Sequence, residues 1–219
     1  MTKEIPIFPL PNVVFFPKTF LPLHIFEPRY RKMTRDALAG SNEIGMALLR
    51  QGWEQDYFGN ATVHEIGCVG EIQYSERLQG GRYNIMLYGV SRVKILEFVQ
   101  DKPYRIAKVK MLKDTRLDRE RFDEQELSQT FLRLVQNYVS EIGVQRLDEL
   151  LKLENCSFET ILNQVASVLD LSTQEKQSLL EMHSLELRYD QLRHLLQERL
   201  HSLKVAQMVK YAPEDPRLN

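Results

Sequence analysis

The sequence predicts an α+β chain in which an antiparallel, closed or semi-closed β-barrel comes first and an α-helical bundle second. Nine of the ten glycines precede residue 117, and no proline falls between Pro103 and Pro213. Both residues punctuate turn-rich β structure and are costly inside helices. Apolar residues recur at every second position in several stretches of the first half, and at helical spacing from about residue 118. The organisation drawn from this is a β unit at 1–116, a helical unit at 117–212 and a short flexible tail at 213–219.

One helix is expected to interrupt the strands, starting after Glu27-Pro28. Proline suits the first helical position because its missing N–H would be unpaired there anyway, and Gly40 can end the helix. Tyr30, Met33 and Ala37 fall on one face of it, which reads as a plug for the barrel. Ile44, Met46 and Leu48 then alternate as a strand. Ile66, Cys68, Gly70, Ile72 and Tyr74 share one face of the next, and Tyr83, Ile85, Leu87, Val93 and Ile95 share a face of the one after. Between these two, Gly80 and Gly81 tolerate positive φ, so the pair reads as a hairpin. Ala107, Val109 and Met111, alternating with Lys108 and Lys110, form a further strand. Many short strands with little room for crossover helices favour an antiparallel barrel over a parallel sheet.

Leu127, Phe131, Leu134 and Tyr138 then mark a first helix of the bundle, and Phe158, Ile161, Leu162, Val165 and Leu169 a second. A third begins at Ser172-Thr173-Gln174-Glu175, a capping box in which Ser and Glu each satisfy a free backbone N–H. Met182, Leu185, Tyr189, Leu192, Leu196 and Leu203 extend it to about residue 207. Unbroken it would be about 50 Å long, so the pattern predicts either a break near His183 or a projecting segment.

Charge follows the same boundary. Residues 1–116 carry 17 basic and 12 acidic side chains and residues 117–219 carry 12 and 18, an offset that reads as two solvated surfaces. The two cysteines, Cys68 and Cys156, are far apart, and the chain opens without an apolar signal core, so a reducing cytoplasm is expected rather than a secreted disulfide scaffold. No apolar run approaches the roughly 18 to 20 residues that cross a bilayer.

Several chemistries lack their residues. No Gly-Lys dipeptide exists, which removes a P-loop. Gly89-Val90-Ser91-Arg92-Val93 lacks the second glycine of a serine-hydrolase elbow. Cys68 is in phase with the buried face of its strand, where a thiol behaves as a small hydrophobe. His64-Glu65 begins like a zinc-protease helix but has Cys68 where the second histidine should stand. His183, Asp190, His194 and His201 recur at spacings of 7, 4 and 7 on the last helical segment. Asp190 and His194 could share a divalent metal, but the stripe reads better as a solvated face, since structural zinc takes four ligands. No metal and no cofactor are therefore expected.

The blocks Ile5-Pro6-Ile7-Phe8-Pro9-Leu10, Val13-Val14-Phe15-Phe16-Pro17 and Leu21-Pro22-Leu23-His24-Ile25-Phe26-Glu27-Pro28-Arg29-Tyr30 resemble the LON substrate-binding domain. This domain forms the N-terminal part of Lon proteases and also occurs alone or in cereblon-type proteins. Glu65-Ile66-Gly67-Cys68-Val69-Gly70-Glu71-Ile72, Tyr88-Gly89-Val90-Ser91-Arg92, Tyr104 to Val109 and the block from Lys176 to Glu181 agree with it in order. The resemblance implies a PUA-like pseudo-barrel followed by helices. It also implies a role in capturing unfolded or tagged polypeptide, while the ATPase and Ser-Lys peptidase modules that do the chemistry in Lon proteases are missing from this sequence. A non-enzymatic recognition module is the expectation, with unfolded polypeptide or a protease or chaperone as partner.

Residue roles follow on physical grounds. Gly67 and Gly89 allow a bulge or close backbone approach inside strands, and Glu27, Arg29 and Arg92 are expected to hold the plug helix to the barrel through ion pairs. Pro22 and Tyr30 complete the family's structural motif. The aromatic residues least explained by core periodicity are Phe15 and Phe16 in a proline-bounded loop, and Trp53, Tyr57 and Phe58 before Gly59-Asn60. They are the candidate polypeptide contacts, although aromatic residues also dominate cores. An RNA-binding module is the alternative, suggested by the PUA-like architecture and the basic β part. No aromatic-plus-basic repeat supports it, and lysines alternating on a strand also guard edges against aggregation. The long last helix offers a surface for a second copy of the chain.

Overall fold

The computed structural model describes residues 2–56, 61–115, 117–118, 120–143 and 156–210. Strands β1 (Thr2–Leu10), β2 (Phe20–Ile25), β3 (Glu43–Leu48), β4 (Ile66–Arg77), β5 (Tyr83–Gln100) and β6 (Arg105–Met111) form one sheet, with helix α1 (Pro28–Ala39) between β2 and β3. Helices α2 (Glu124–Ile142), α3 (Phe158–Val168), α4 (Thr173–Glu181) and α5 (Leu185–Lys210) follow. No helix among the described residues is long and apolar enough to cross a membrane.

The sheet order is β2-β5-β4-β3-β1-β6, and β5 also pairs with β6. The 18-residue length of β5 makes this possible: its first half serves β2 and β4, its second half β6. Strands β5, β4, β3, β1 and β6 thus close into a ring, and β2 extends the sheet outside it. One pair departs from the antiparallel expectation, because β1 and β3 run parallel, Ile7 opposite Gly45 and Leu10 opposite Leu48. Parallel neighbours need a long crossover, and β2 with α1 supplies it.

The interior of the ring is narrow. Ile5 and Ile7 from β1, Ala47 from β3, Val69 from β4, Val93 and Ile95 from β5 and Ala107 and Val109 from β6 fill it. Helix α1, expected as a plug, lies outside the ring. Tyr30, Met33 and Ala37 lie against Phe8, Ile44, Met46, Cys68, Ile72, Ile85 and Leu87, on the other face of the same strands. With both faces buried, β1 shows no clean alternation.

Tyr104, at the entry to β6, anchors α1 by donating its hydroxyl proton to Asp36 Oδ2 at 2.8 Å. Lys32 foremost, and Tyr104 with it, hold the Asp36 carboxyl below its usual range. Burial, then the Asp36 carboxylate, pushes the Tyr104 hydroxyl up to about 12 from 10.0. The fold therefore favours the protonated phenol. Its contribution is whole below the unfolded value and is lost as pH rises from about 10 towards 12. Urea midpoints measured from pH 9 to 12 should fall less steeply for Tyr104→Phe than for the parent chain; identical slopes would show that this contact is idle.

The helices share a core with the sheet. Phe131, Val135 and Tyr138 of α2, Phe158, Ile161, Leu162 and Val165 of α3 and Leu192 and Leu196 of α5 surround Phe16, with Ile66 packed against them. Ser172 Oγ accepts the Glu175 N–H at 3.2 Å, and the Glu175 carboxylate accepts the Ser172 N–H at 2.6 Å, the predicted capping box. The expected break occurs at Met182–Ser184, separating α4 from α5.

Two arginines explain the position of that break. The last carbonyls of a helix have no partner within it. Arg92 of β5 donates to the carbonyls of Leu180 (3.0 Å) and Glu181 (3.4 Å), and Arg188 of α5 to those of Leu179 (3.2 Å) and Met182 (2.8 Å). Both guanidinium groups converge on Asp114, Arg92 Nε at 2.8 Å and Arg188 Nη1 at 3.0 Å, and Arg188 also reaches Asn163 Oδ1 at 2.9 Å. Arg92 therefore ties the sheet to the helices rather than to α1, a correction to its expected role. Glu27 and Arg29 pair with each other at 3.0 Å at the start of α1, where the Arg29 guanidinium also lies over the Tyr30 ring.

Candidate functional site

The ring leaves one part of the sheet with a face open to solvent, the wing formed by β2, the first half of β5 and the second half of β4. Leu21, Leu23 and Ile25 of β2 lie opposite Leu87, Ile85 and Tyr83 of β5, facing the α1 core. The intervening residues must then face outward, because side chains alternate along a strand.

Register arranges those residues in three rows. Phe20 is opposite Tyr88, which is opposite Glu71. Pro22 is opposite Met86, and Met86 opposite Tyr74. His24 is opposite Asn84, and Asn84 opposite Glu76. Phe20 is 63% exposed and Tyr74 58%. The Phe20 and Tyr88 ring centroids are 5.0 Å apart, so the first row is an aromatic pair. The third row is polar: Asn84 donates from Nδ2 to Glu76 Oε2 at 3.2 Å, and its Oδ1 lies 2.8 Å from His24 Nδ1. An amide oxygen can only accept, so the His24 Nδ1–H is the donor of this contact. The His24 ring stacks on exposed Phe26, centroids 6.2 Å apart.

This surface differs from the one the sequence suggested. Phe15 is 3% exposed and Phe16 0%. Their loop crosses β5 between the sheet and the helices, so Phe15 joins the α1 core and Phe16 the helical core, where neither can meet a ligand. Trp53 is half-buried on a single helical turn, Trp53–Asp56, and Tyr57 and Phe58 lie outside the described residues, as does the tail 213–219. Tyr74, expected inside, is exposed, because β4 slips register between Val69 and Gly70 and again between Ile72 and Tyr74. Pro22 stands on the open strand. Gly67 and Gly89 are places of close backbone approach: a Cβ there would lie 2.3 Å from the Met46 carbonyl oxygen and 2.2 Å from that of Phe16.

The rival chemistries find little support in the geometry. Cys68 is fully buried and burial pushes its thiol far up, so it is no nucleophile. His183 lies in the break before α5 and not on the helix with Asp190, His194 and His201. His194 pairs with Glu198 at 3.3 Å and Asp190 with Arg193 at 3.4 Å. Among the described residues no three His, Cys, Asp or Glu side chains are grouped to hold a metal.

A family model of the ATP-dependent protease La (LON) substrate-binding domain matches residues 4–198. The chain belongs to the LON substrate-binding domain family. It is 27% identical over 214 residues to a Lon protease of Anaeromyxobacter dehalogenans, covering 95% of this chain and 25% of that one. It is 29% identical over 196 residues to a Lon protease of Flavobacterium johnsoniae, covering 84% and 23%. The LON-family chain thus spans about a quarter of the length of these relatives. Among solved structures, a Lon N-terminal domain protein from Xanthomonas campestris superposes with a TM-score of 0.61 at 22% identity, over 87% of this chain and 96% of that one. The N-terminal domain of a Mycobacterium avium complex Lon protease gives 0.68 at 14% identity, over 91% and 98%. The shared architecture is the mixed α+β fold described above.

Proposed function

We propose that this LON domain captures unfolded polypeptide through the open face of the β2-β5-β4 wing, holding segments for proteolysis without performing chemistry itself. The observation that carries the reading is the solvent-facing group of Phe20, Tyr88, Met86 and Tyr74, from two adjacent rows, in a substrate-binding domain. Exposed apolar side chains grouped on a rigid sheet mark interaction sites, and aromatic residues dominate their energetics. Ring closure through β5 and β6 supports reading the strands as a PUA-like barrel, with the helices as a bundle that braces it.

The test is titration of the intact chain with a reduced, carboxymethylated, labelled protein. The double substitution Phe20→Ser, Tyr74→Ser should weaken binding by about tenfold or more. Both side chains are exposed, so the thermal midpoint should stay put. An affinity within about twofold of the parent would refute this face as the site.

A further inference from the structure

The wing also has an open edge. Among the described residues β5 is the only strand partner of β2. Gly89 N–H donates to the Thr19 carbonyl at 2.9 Å, which sets the phase of the ladder: Thr19, Leu21, Leu23 and Ile25 turn their backbone groups towards β5. Phe20, Pro22 and His24 then turn theirs outward, and Pro22, which has no N–H, sits where a ladder can spare one. Among the described residues, none of the turn and loop hydrogen bonds falls on these three. Edges are ordinarily guarded by charged side chains or proline; Phe20–Ile25 contains no Lys, Arg, Asp or Glu, and its one proline removes a single N–H from the ladder. The one polar side chain there, His24, ends a row whose far member is the Glu76 carboxylate.

We infer that the captured polypeptide adds to β2 as an extended, antiparallel strand, with a basic side chain at the His24 row and an apolar one four residues later at Phe20. This rests on the wing being the polypeptide site and states what that site selects. In an antiparallel pair, every second pair of opposed residues exchanges both backbone bonds, and Phe20 and His24 stand at such positions. The segment gains two such exchanges, at Phe20 and His24, and donates one N–H to the Pro22 carbonyl. Alternate side chains of the added strand fall on the open face: the apolar one extends the Phe20–Tyr88 pair, and the basic one lies beside the row that carries Glu76. The Glu76-Asn84-His24 row contains a carboxylate and no Lys or Arg, so a cation complements it and an acidic residue is repelled.

A dansylated Lys-Thr-Val-Thr-Leu peptide, titrated against the intact chain, tests this. N-methylation of the first, third and fifth residues together should lower affinity by about tenfold or more, while N-methylation of the second and fourth should change it by less than about twofold. Replacing the peptide's lysine by glutamate should cost about tenfold, and Glu76→Gln should erase most of that preference. Equal binding of all N-methylated forms would overturn strand addition. If Phe20→Ser still abolished binding in that case, the wing would stand as the site and only the mode would fall; if Phe20→Ser had no effect either, both would fall. A chain that self-associates, with the peptide dissociating the pair, would show that a second copy fills the edge and would overturn the inference.

Discussion

Asp114→Ala should lower stability by about 3–5 kcal/mol, a large share of the roughly 5–15 kcal/mol that an ordinary domain has. The Arg188 side chain is 0% exposed and that of Arg92 2%. Asp114 is the acidic side chain that both guanidinium groups contact, and it also holds them against the end of α4. Removing the carboxylate strands two positive charges in a dry junction, and neither arginine can shed its proton to escape. The Coulomb attraction would have offset their desolvation, so its loss is felt in full. Urea unfolding measures the effect; a midpoint shift equivalent to less than about 1 kcal/mol would mean that the arginines are solvated. Asp114→Asn separates charge from shape. It keeps the volume but removes the charge and points an amide donor at a guanidinium, so it should recover little of the loss.

Gly89→Ala is expected to cost about 3 kcal/mol or more. The backbone there is not left-handed; the demand is for space. The new Cβ would stand 2.2 Å from the Phe16 carbonyl oxygen and 3.0 Å from Pro17 Cα, both backbone atoms that no rotamer change can move. The strand and the loop would have to part, breaking the bonds from Lys18 N–H to the Gly89 carbonyl (2.8 Å) and from Gly89 N–H to the Thr19 carbonyl (2.9 Å). Those bonds lead directly into β2, so the variant should also displace Phe20 from Tyr88 and weaken polypeptide binding in whatever fraction remains folded. Gly80→Ala is the control. Gly80 has φ +75 but nothing within 4 Å of a new Cβ, so only the left-handed backbone is penalised, by about 1–2 kcal/mol. Comparable losses in the two variants would mean that the loop is free to move away from β5.

The site was half visible in the sequence. The run from Leu21 to Tyr30, which contains most of β2, resembles the LON domain in the sequence itself. The sequence points to Phe15 and Phe16 beside prolines and to Trp53, Tyr57 and Phe58 before Gly59-Asn60, yet Phe15 and Phe16 are buried. A proline-bounded loop need not lie on the outside when helices contributed by the far end of the chain cover it. Phe20 and Tyr88 belong to separate strands 68 positions apart, and only their register makes them a pair. The one local hint was a large apolar side chain at Phe20, out of phase with Leu21, Leu23 and Ile25.

Local chemistry determined what needs no distant partner: the start of α1 at Pro28, the glycine turn between β4 and β5, the capping box at Ser172 and the interruption near His183. Each is settled by steric limits on a few torsions or by bonds within one turn. Tertiary structure decided which strand lies beside which, that β1 and β3 run parallel, that α1 covers the sheet instead of filling the ring, and that Asp114 gathers arginines from β5 and α5. These outcomes depend on burying apolar area and pairing charge between residues remote in the chain, and a single register slip, as at Tyr74, exchanges the inside of a strand for its outside.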